Sequence, residues 1–148
     1  MDNIDKQILN LIQTDFPVVS EPFAAIAEMI GIGEAEVMAR MIRMKENNVI
    51  RRIGAVFDPR KLGFSSALCA AAVSREAEVS FVEAVNSYPG VTHNYRRNDA
   101  YNIWFTVIAP TEAELGDFLA AVREKTGVTD ILCMKAVRTF KINAQFEV

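Results

Sequence analysis

Apolar residues recur every three or four positions at the start of the chain, where Ile4, Ile8, Leu11 and Ile12 would share one side of a helix. Asp2 or Asn3 stands before them as a cap, and Phe16-Pro17 ends the run. A second helix is predicted from Ser20-Glu21-Pro22 to Gly31, since proline is tolerated in a first turn and glycine favours termination. A third spans about residues 33–47, with Val37, Met41, Ile42 and Met44 as its apolar side. Two short segments follow, Val49-Ile50-Arg51-Arg52-Ile53 and Ala55-Val56-Phe57, which predict a two-stranded wing. Three short helices and a wing make a winged helix-turn-helix.

Beyond Phe57-Asp58-Pro59-Arg60 the pattern changes, placing one domain at 1–60 and a second at 61–148. Residues 64–73 predict a strand of small apolar residues. Residues 76–88 predict an amphipathic helix carrying Val79, Phe81, Val82 and Val85, stopped by Pro89-Gly90. A hairpin occupies residues 90–110, and Thr111-Glu112-Ala113-Glu114 caps a helix that runs through Lys125 to Gly127. The last strand is expected from Ile131 to Ile142. Strand, helix, strand, strand, helix, strand is the order of a ferredoxin-like sandwich, so the whole chain is predicted α+β.

Composition narrows this only slightly. With 51% hydrophobic and 24% charged residues, the 148-residue chain is globular rather than disordered. It contains no apolar run near the ~18 residues of a membrane helix, and its first residues lack the features of a secretion signal, so the expected location is the cytoplasm. Cys69 and Cys133 sit in apolar surroundings without metal-ligand spacing and are predicted to be reduced core residues.

The candidate chemistry lies in the hairpin GVTHNYRRNDAYNIWFTVIAP, residues 90–110, which holds the chain's only histidine and only tryptophan, two tyrosines and two arginines. A half-buried strand needs alternating apolar residues and nothing more. If Asn98-Asp99 is a two-residue turn, His93 faces Trp104 and Tyr95 faces Asn102, with Arg97 on the same side. Tyr101, Ile103, Phe105 and Val107 would then be the helix-packed set. His93, Tyr95, Arg97, Asn102 and Trp104 are therefore expected on the helix-free face, open to a flat ligand or a partner subunit.

The helix-turn-helix suggests DNA, but the charges argue otherwise. Residues 1–60 carry seven Lys or Arg against nine Asp or Glu, a net of −2, and the third helix opens with Glu34 and Glu36. Phosphate neutralisation normally supplies much of the affinity for DNA, so no specific duplex binding is expected.

Helix-turn-helix followed by a ferredoxin-like domain resembles the Lrp/AsnC regulators. The closer resemblance, within that superfamily, is to siroheme decarboxylase subunits and related proteins of haem d1 formation. It is carried by Ile50-Arg51-Arg52-Ile53-Gly54-Ala55-Val56-Phe57, by His93-Asn94-Tyr95 with Arg97, Tyr101-Asn102 and Trp104-Phe105-Thr106, and by Arg138 with Phe140-Lys141-Ile142. The family pattern often has a second histidine two positions after the matching arginine; this chain has Asp99 there. The resemblance thus implies a site completed by a paralogous subunit packed sheet to sheet.

It also implies a reaction: removal of carbon dioxide from two acetate side chains of siroheme, giving didecarboxysiroheme on a route to haem or haem d1. The iron tetrapyrrole is substrate and its own electron sink, so no separate cofactor is implied, and haem would be a product-like ligand. In this reading His93 is a proton donor or an axial ligand of the substrate iron, and Tyr95 is a second donor. Trp104 covers the ring, Asn102 binds substrate, and Arg51, Arg52 and Arg97 hold carboxylates. A regulator sensing a small ligand through the same sheet, or a haem-binding sensor, are the alternatives.

Overall fold

The computed structural model describes residues 1–141 together with Phe146 and Val148. Two compact units form, Met1–Ala55 with Lys141–Val148, and Val56–Phe140. No helix among the described residues is long and apolar enough to cross a membrane.

The first unit is built on three helices, α1 (Asn3–Ile12), α2 (Pro22–Ile30) and α3 (Glu34–Glu46). Asp2 caps α1 in a reciprocal box: its Oδ1 accepts from the Asp5 N–H at 2.9 Å, and Asp5 Oδ2 accepts from the Asp2 N–H at 3.1 Å. Pro22 occupies the first turn of α2, and Gly31 ends that helix at φ 81°. Ile8, Ile26, Val37, Met41, Met44 and Ile50 form the core. Ile42, expected among them, is exposed, because it sits one residue, about 100°, round the helix from Met41.

The expected wing does not form. None of residues 49–57 is in a strand. Instead the Val49 and Ile50 N–H groups both bond to the Met44 carbonyl, and Ile50 drops into the helical core. Only Gly54 separates the two segments, whereas the tightest common hairpins need two connecting residues.

In the second unit a 3-10 turn at Pro59–Leu62 leads to β1 (Ser65–Ala71), α4 (Glu78–Asn86), β2 (Val91–Arg96), β3 (Ile103–Ala109), α5 (Glu112–Thr126) and β4 (Ile131–Met134). The sheet is antiparallel in the order β2-β3-β1-β4, the ferredoxin-like arrangement. Thr111 caps α5 by accepting from the Glu114 N–H. Phe81 and Val85 of α4 and Leu115, Leu119 and Val122 of α5 cover one sheet face, against Ala67, Cys69, Ile103, Phe105 and Val107. Val79 is exposed, being two residues out of phase with Phe81. The last strand stops at Met134, earlier than expected, and Ile142 lies outside the described residues. Both cysteines are free; Cys69 is buried, but Cys133, directly opposite it on edge strand β4, is exposed rather than in the core. Burial pushes the Cys69 thiol up to about 12.

Gly90 lets β2 approach β3. Its carbonyl accepts from the Ile108 N–H at 2.8 Å, and a Cβ there would run into the Ile108 carbonyl and the Tyr88 ring. Backbone cannot swing aside as a side chain can. Gly90→Ala is expected to cost about 2 kcal/mol and to alter the near-ultraviolet dichroism of Trp104; an unchanged urea midpoint would contradict this.

Candidate functional site on the open sheet face

Between β2 and β3, Val91 is opposite Val107 but His93 is opposite Thr106, so one extra residue, Thr92, is bulged out. The bulge decides which side chains meet. With strict two-residue alternation Val91, His93 and Tyr95 would share a face. With it, Val91 packs on the helix side while His93, Tyr95 and Arg97 turn to the open face. Their neighbours confirm the phase. Asn94 donates to Asn86 Oδ1 of α4 at 2.9 Å, and Arg96 Nε lies 3.5 Å from Glu78 of the same helix.

Two rows cross the open face, Tyr95-Trp104-Ala70-Leu132 and His93-Thr106-Leu68-Met134. The β2–β3 half is aromatic and basic. The β1–β4 half presents exposed Leu68, Leu132 and Met134. The imidazole of His93 lies nearly parallel to the Tyr95 ring, 6.0 Å between centroids and 23° between planes. The Arg97 guanidinium sits 5.5 Å from the Trp104 ring centroid. The Trp104 indole N–H donates to the Tyr101 carbonyl at 2.7 Å, fixing the ring beneath that cation.

His93 Nδ1 is 3.0 Å from Thr92 Oγ1, which leaves Nε2 as the ring nitrogen for a ligand. The pairing permits two states with different chemistry. If Nδ1–H donates to the hydroxyl, Nε2 presents a lone pair to a metal; if the hydroxyl donates, Nε2 carries a transferable proton.

The structure thus assembles His93, Tyr95, Arg97 and Trp104, in a register two residues from the expected one. Trp104 faces Tyr95 rather than His93. The loop is longer than a two-residue turn, closed by the Arg97 N–H donating to the Asn102 carbonyl at 2.7 Å. A shift by two preserves the face. Asn102 departs from expectation: its side chain accepts from the Val73 N–H at 2.9 Å and donates to the Val73 carbonyl at 2.8 Å, clamping the chain beyond β1. Tyr101, expected in the core, is half-buried, with its hydroxyl donating to Asp130 Oδ1 at 3.1 Å. That bond to the carboxylate raises the phenol's pKa. Thr92, Thr106 and the apolar Leu68, Leu132 and Met134 were not anticipated. The clue to Thr92 is that Val91 and His93 have opposite solvation demands at positions that alternation puts on one face.

Arg51 and Arg52 belong to the first unit, where they are exposed on the wall of an apolar cavity of about 710 Å³. Arg138 follows β4, with its guanidinium 4.9 Å from the Phe140 ring centroid.

Helix α3, the would-be DNA reader, has its arginines engaged. Arg40 pairs with Asp2 at 2.7 Å, Asp5 at 2.9 Å and Glu36 at 2.8 Å, and Arg43 reaches Asp5 at 2.9 Å. Asp5 is 2% exposed. Burial alone would raise its pKa, but hydrogen bonds from Arg40 and the Asp2 N–H, with the charge of Arg43, lower it.

Comparison with known proteins agrees with this architecture. Residues 61–141 match the AsnC-like ligand binding domain, and residues 5–51 match the siroheme decarboxylase NirDL-like HTH domain. The siroheme decarboxylase alpha subunit of Oleidesulfovibrio alaskensis is 46% identical over 147 residues, covering 99% of this chain and 89% of that one. The crystal structure of the siroheme decarboxylase NirDL superposes with a TM-score of 0.73 at 37% identity, covering 99% of this chain and 48% of that one. The crystal structure of the siroheme decarboxylase NirDL in co-complex with an iron-uroporphyrin III analogue gives 0.71 at 36% identity, covering 96% and 48%. This chain therefore spans about half the length of the NirDL chain. By its sequence over nearly its full length, as by its fold, the chain belongs to the siroheme decarboxylase family, as a subunit joining a helix-turn-helix to an AsnC-like domain.

Proposed function

We propose that this protein is a subunit of a siroheme decarboxylase and that the open sheet face of its second unit binds the tetrapyrrole. The observation that carries the reading is the Thr92 bulge, which turns His93, Tyr95 and Arg97 onto the same face as Trp104. Aromatic rings suit a flat macrocycle, and the Arg97 fork suits a peripheral carboxylate. Loss of carbon dioxide breaks the carbon–carbon bond to an acetate carboxylate and leaves its electron pair on the exocyclic carbon, delocalised into the macrocycle. A proton then completes the methyl group. His93 Nε2, or the Tyr95 hydroxyl, supplies that proton; in the other tautomer His93 ligates the substrate iron. Arg97 anchors a carboxylate that is retained.

The exposed Leu68, Leu132 and Met134 beside this set support a second AsnC-like subunit packed on the sheet, and Asp99, where the family resemblance leads one to expect a second histidine, supports a paralogue that completes the site. Pairing should be visible as a 1:1 complex when both chains are expressed together. Wild-type turnover by the isolated chain, unchanged by the paralogue, would rule this arrangement out.

The geometry of α3 does not favour the regulator reading. With Arg40 and Arg43 committed to carboxylates and Glu34 and Glu36 at its start, no specific duplex binding is expected at physiological salt. Salt-sensitive, sequence-selective retardation of the gene's upstream DNA at nanomolar protein would contradict this.

A further inference from the structure

The first unit contains a contact that the proposed reaction does not use. Asn10 of α1 and Gln13, the residue that caps its C-terminal end, are three residues apart and project from one side. Gln13 Nε2 donates to the Phe146 carbonyl at 2.8 Å, and Gln13 Oε1 accepts from the Phe146 N–H at 3.0 Å. Asn10 repeats the pattern on Val148, donating to its carbonyl and accepting from its N–H, each at 3.4 Å. Gln13 Nε2 also donates to Asn10 Oδ1 at 3.2 Å, which orients the two amides together.

A primary amide that both donates to and accepts from one residue offers a backbone what a neighbouring strand would offer. Two such amides engage residues two apart in sequence, the repeat at which an extended peptide presents one edge. Phe146 and Val148 also line the apolar cavity of about 710 Å³, with Leu9, Ile12, Phe16 and Ile53.

We propose that the side of the first unit carrying Asn10 and Gln13 is a peptide-docking site, that its occupants are Phe146 and Val148 of this same chain, and that docking shields the apolar wall formed by Leu9, Ile12, Phe16 and Ile53. The chain leaves the first unit after Ala55 and rejoins it at Lys141, so docking gives the helix-turn-helix unit a second tether. This inference stands independently of the tetrapyrrole site.

Amide hydrogen exchange in the full-length protein tests it. The Phe146 and Val148 N–H groups should be protected, and Asn10→Ala with Gln13→Ala should speed both at least tenfold while leaving Ile26 and Val37 of the core unchanged. An environment-sensitive apolar dye, 8-anilinonaphthalene-1-sulfonate, should bind more to that variant. Should the double variant fail to fold, Gln13→Glu, which keeps the acceptor and removes the donor, should give intermediate exchange at Phe146. Unprotected Phe146 and Val148 in the wild type, or rates unmoved by these substitutions, would overturn the proposal.

Discussion

His93→Ala in the assembled enzyme is expected to lower siroheme turnover by roughly 10²–10⁴-fold, the range typical for a positioned proton donor. The imidazole is the only one in the chain, lies exposed beside Tyr95, and has Nδ1 against Thr92. A donor role predicts lost turnover with the absorption spectrum and affinity of the bound iron tetrapyrrole nearly unchanged. An axial-ligand role predicts a shifted spectrum as well. Thr92→Val separates the tautomers further, because it removes the hydroxyl partner while roughly keeping side-chain volume. Wild-type turnover, affinity and spectrum in His93→Ala would show the histidine to be structural and move the proton donor to Tyr95 or to the proposed second subunit.

The largest stability effect is expected in the first unit, at Asp5. Its carboxylate is 2% exposed and accepts from Arg40 and Arg43, with both oxygens bonded to Arg43 at 2.9 Å. Removing it leaves two guanidinium groups without their shared partner, and breaking a buried pair in this way costs about 3 kcal/mol, the low end of the usual range because Arg43 is half exposed. Against a typical domain stability of about 5–15 kcal/mol that is a large share. Urea unfolding at neutral pH measures it, and a loss under about 0.5 kcal/mol, the scale of an ordinary surface change, would contradict the assignment.

The same network sets an acid dependence. Hydrogen bonds from Arg40 and the Asp5 N–H hold the Asp2 carboxyl at about 2, against an ordinary 3.8, and Asp5 is lowered too. Because the folded pKa values lie below the unfolded ones, this stabilisation is fully present above the ordinary value and is lost as pH falls through the folded values. Unfolding stability should therefore decline from about pH 4 towards 2 in the wild type, and less steeply in Asp5→Ala.

What was legible in the sequence follows the range of the interactions. Caps are local, so Asp2, Pro22, Thr111 and Gly127 mark the helix ends correctly. The strand order of the second domain was also accessible, since its apolar alternation and two capped helices admit few arrangements. The wing was not, because apolar, β-branched runs suit a strand without guaranteeing a partner, and Ile50 is needed in the helical core instead. The face of the candidate site was foreseen although its register was not; errors of two residues leave a strand's faces intact. Interactions across long separations were out of reach. Nothing near Asn102 announces Val73, 29 residues away, and nothing near Arg40 or Arg43 announces Asp5, 35 and 38 residues away.

The most direct test of the central claim is anaerobic incubation of the chain, co-expressed with the proposed paralogous subunit, with siroheme, followed by mass analysis of the tetrapyrrole. The proposed function predicts loss of two carbon dioxide molecules from each siroheme, with solvent deuterium entering both new methyl groups. Siroheme recovered unchanged from a complex that binds it tightly would contradict the account and leave a tetrapyrrole-binding sensor in its place.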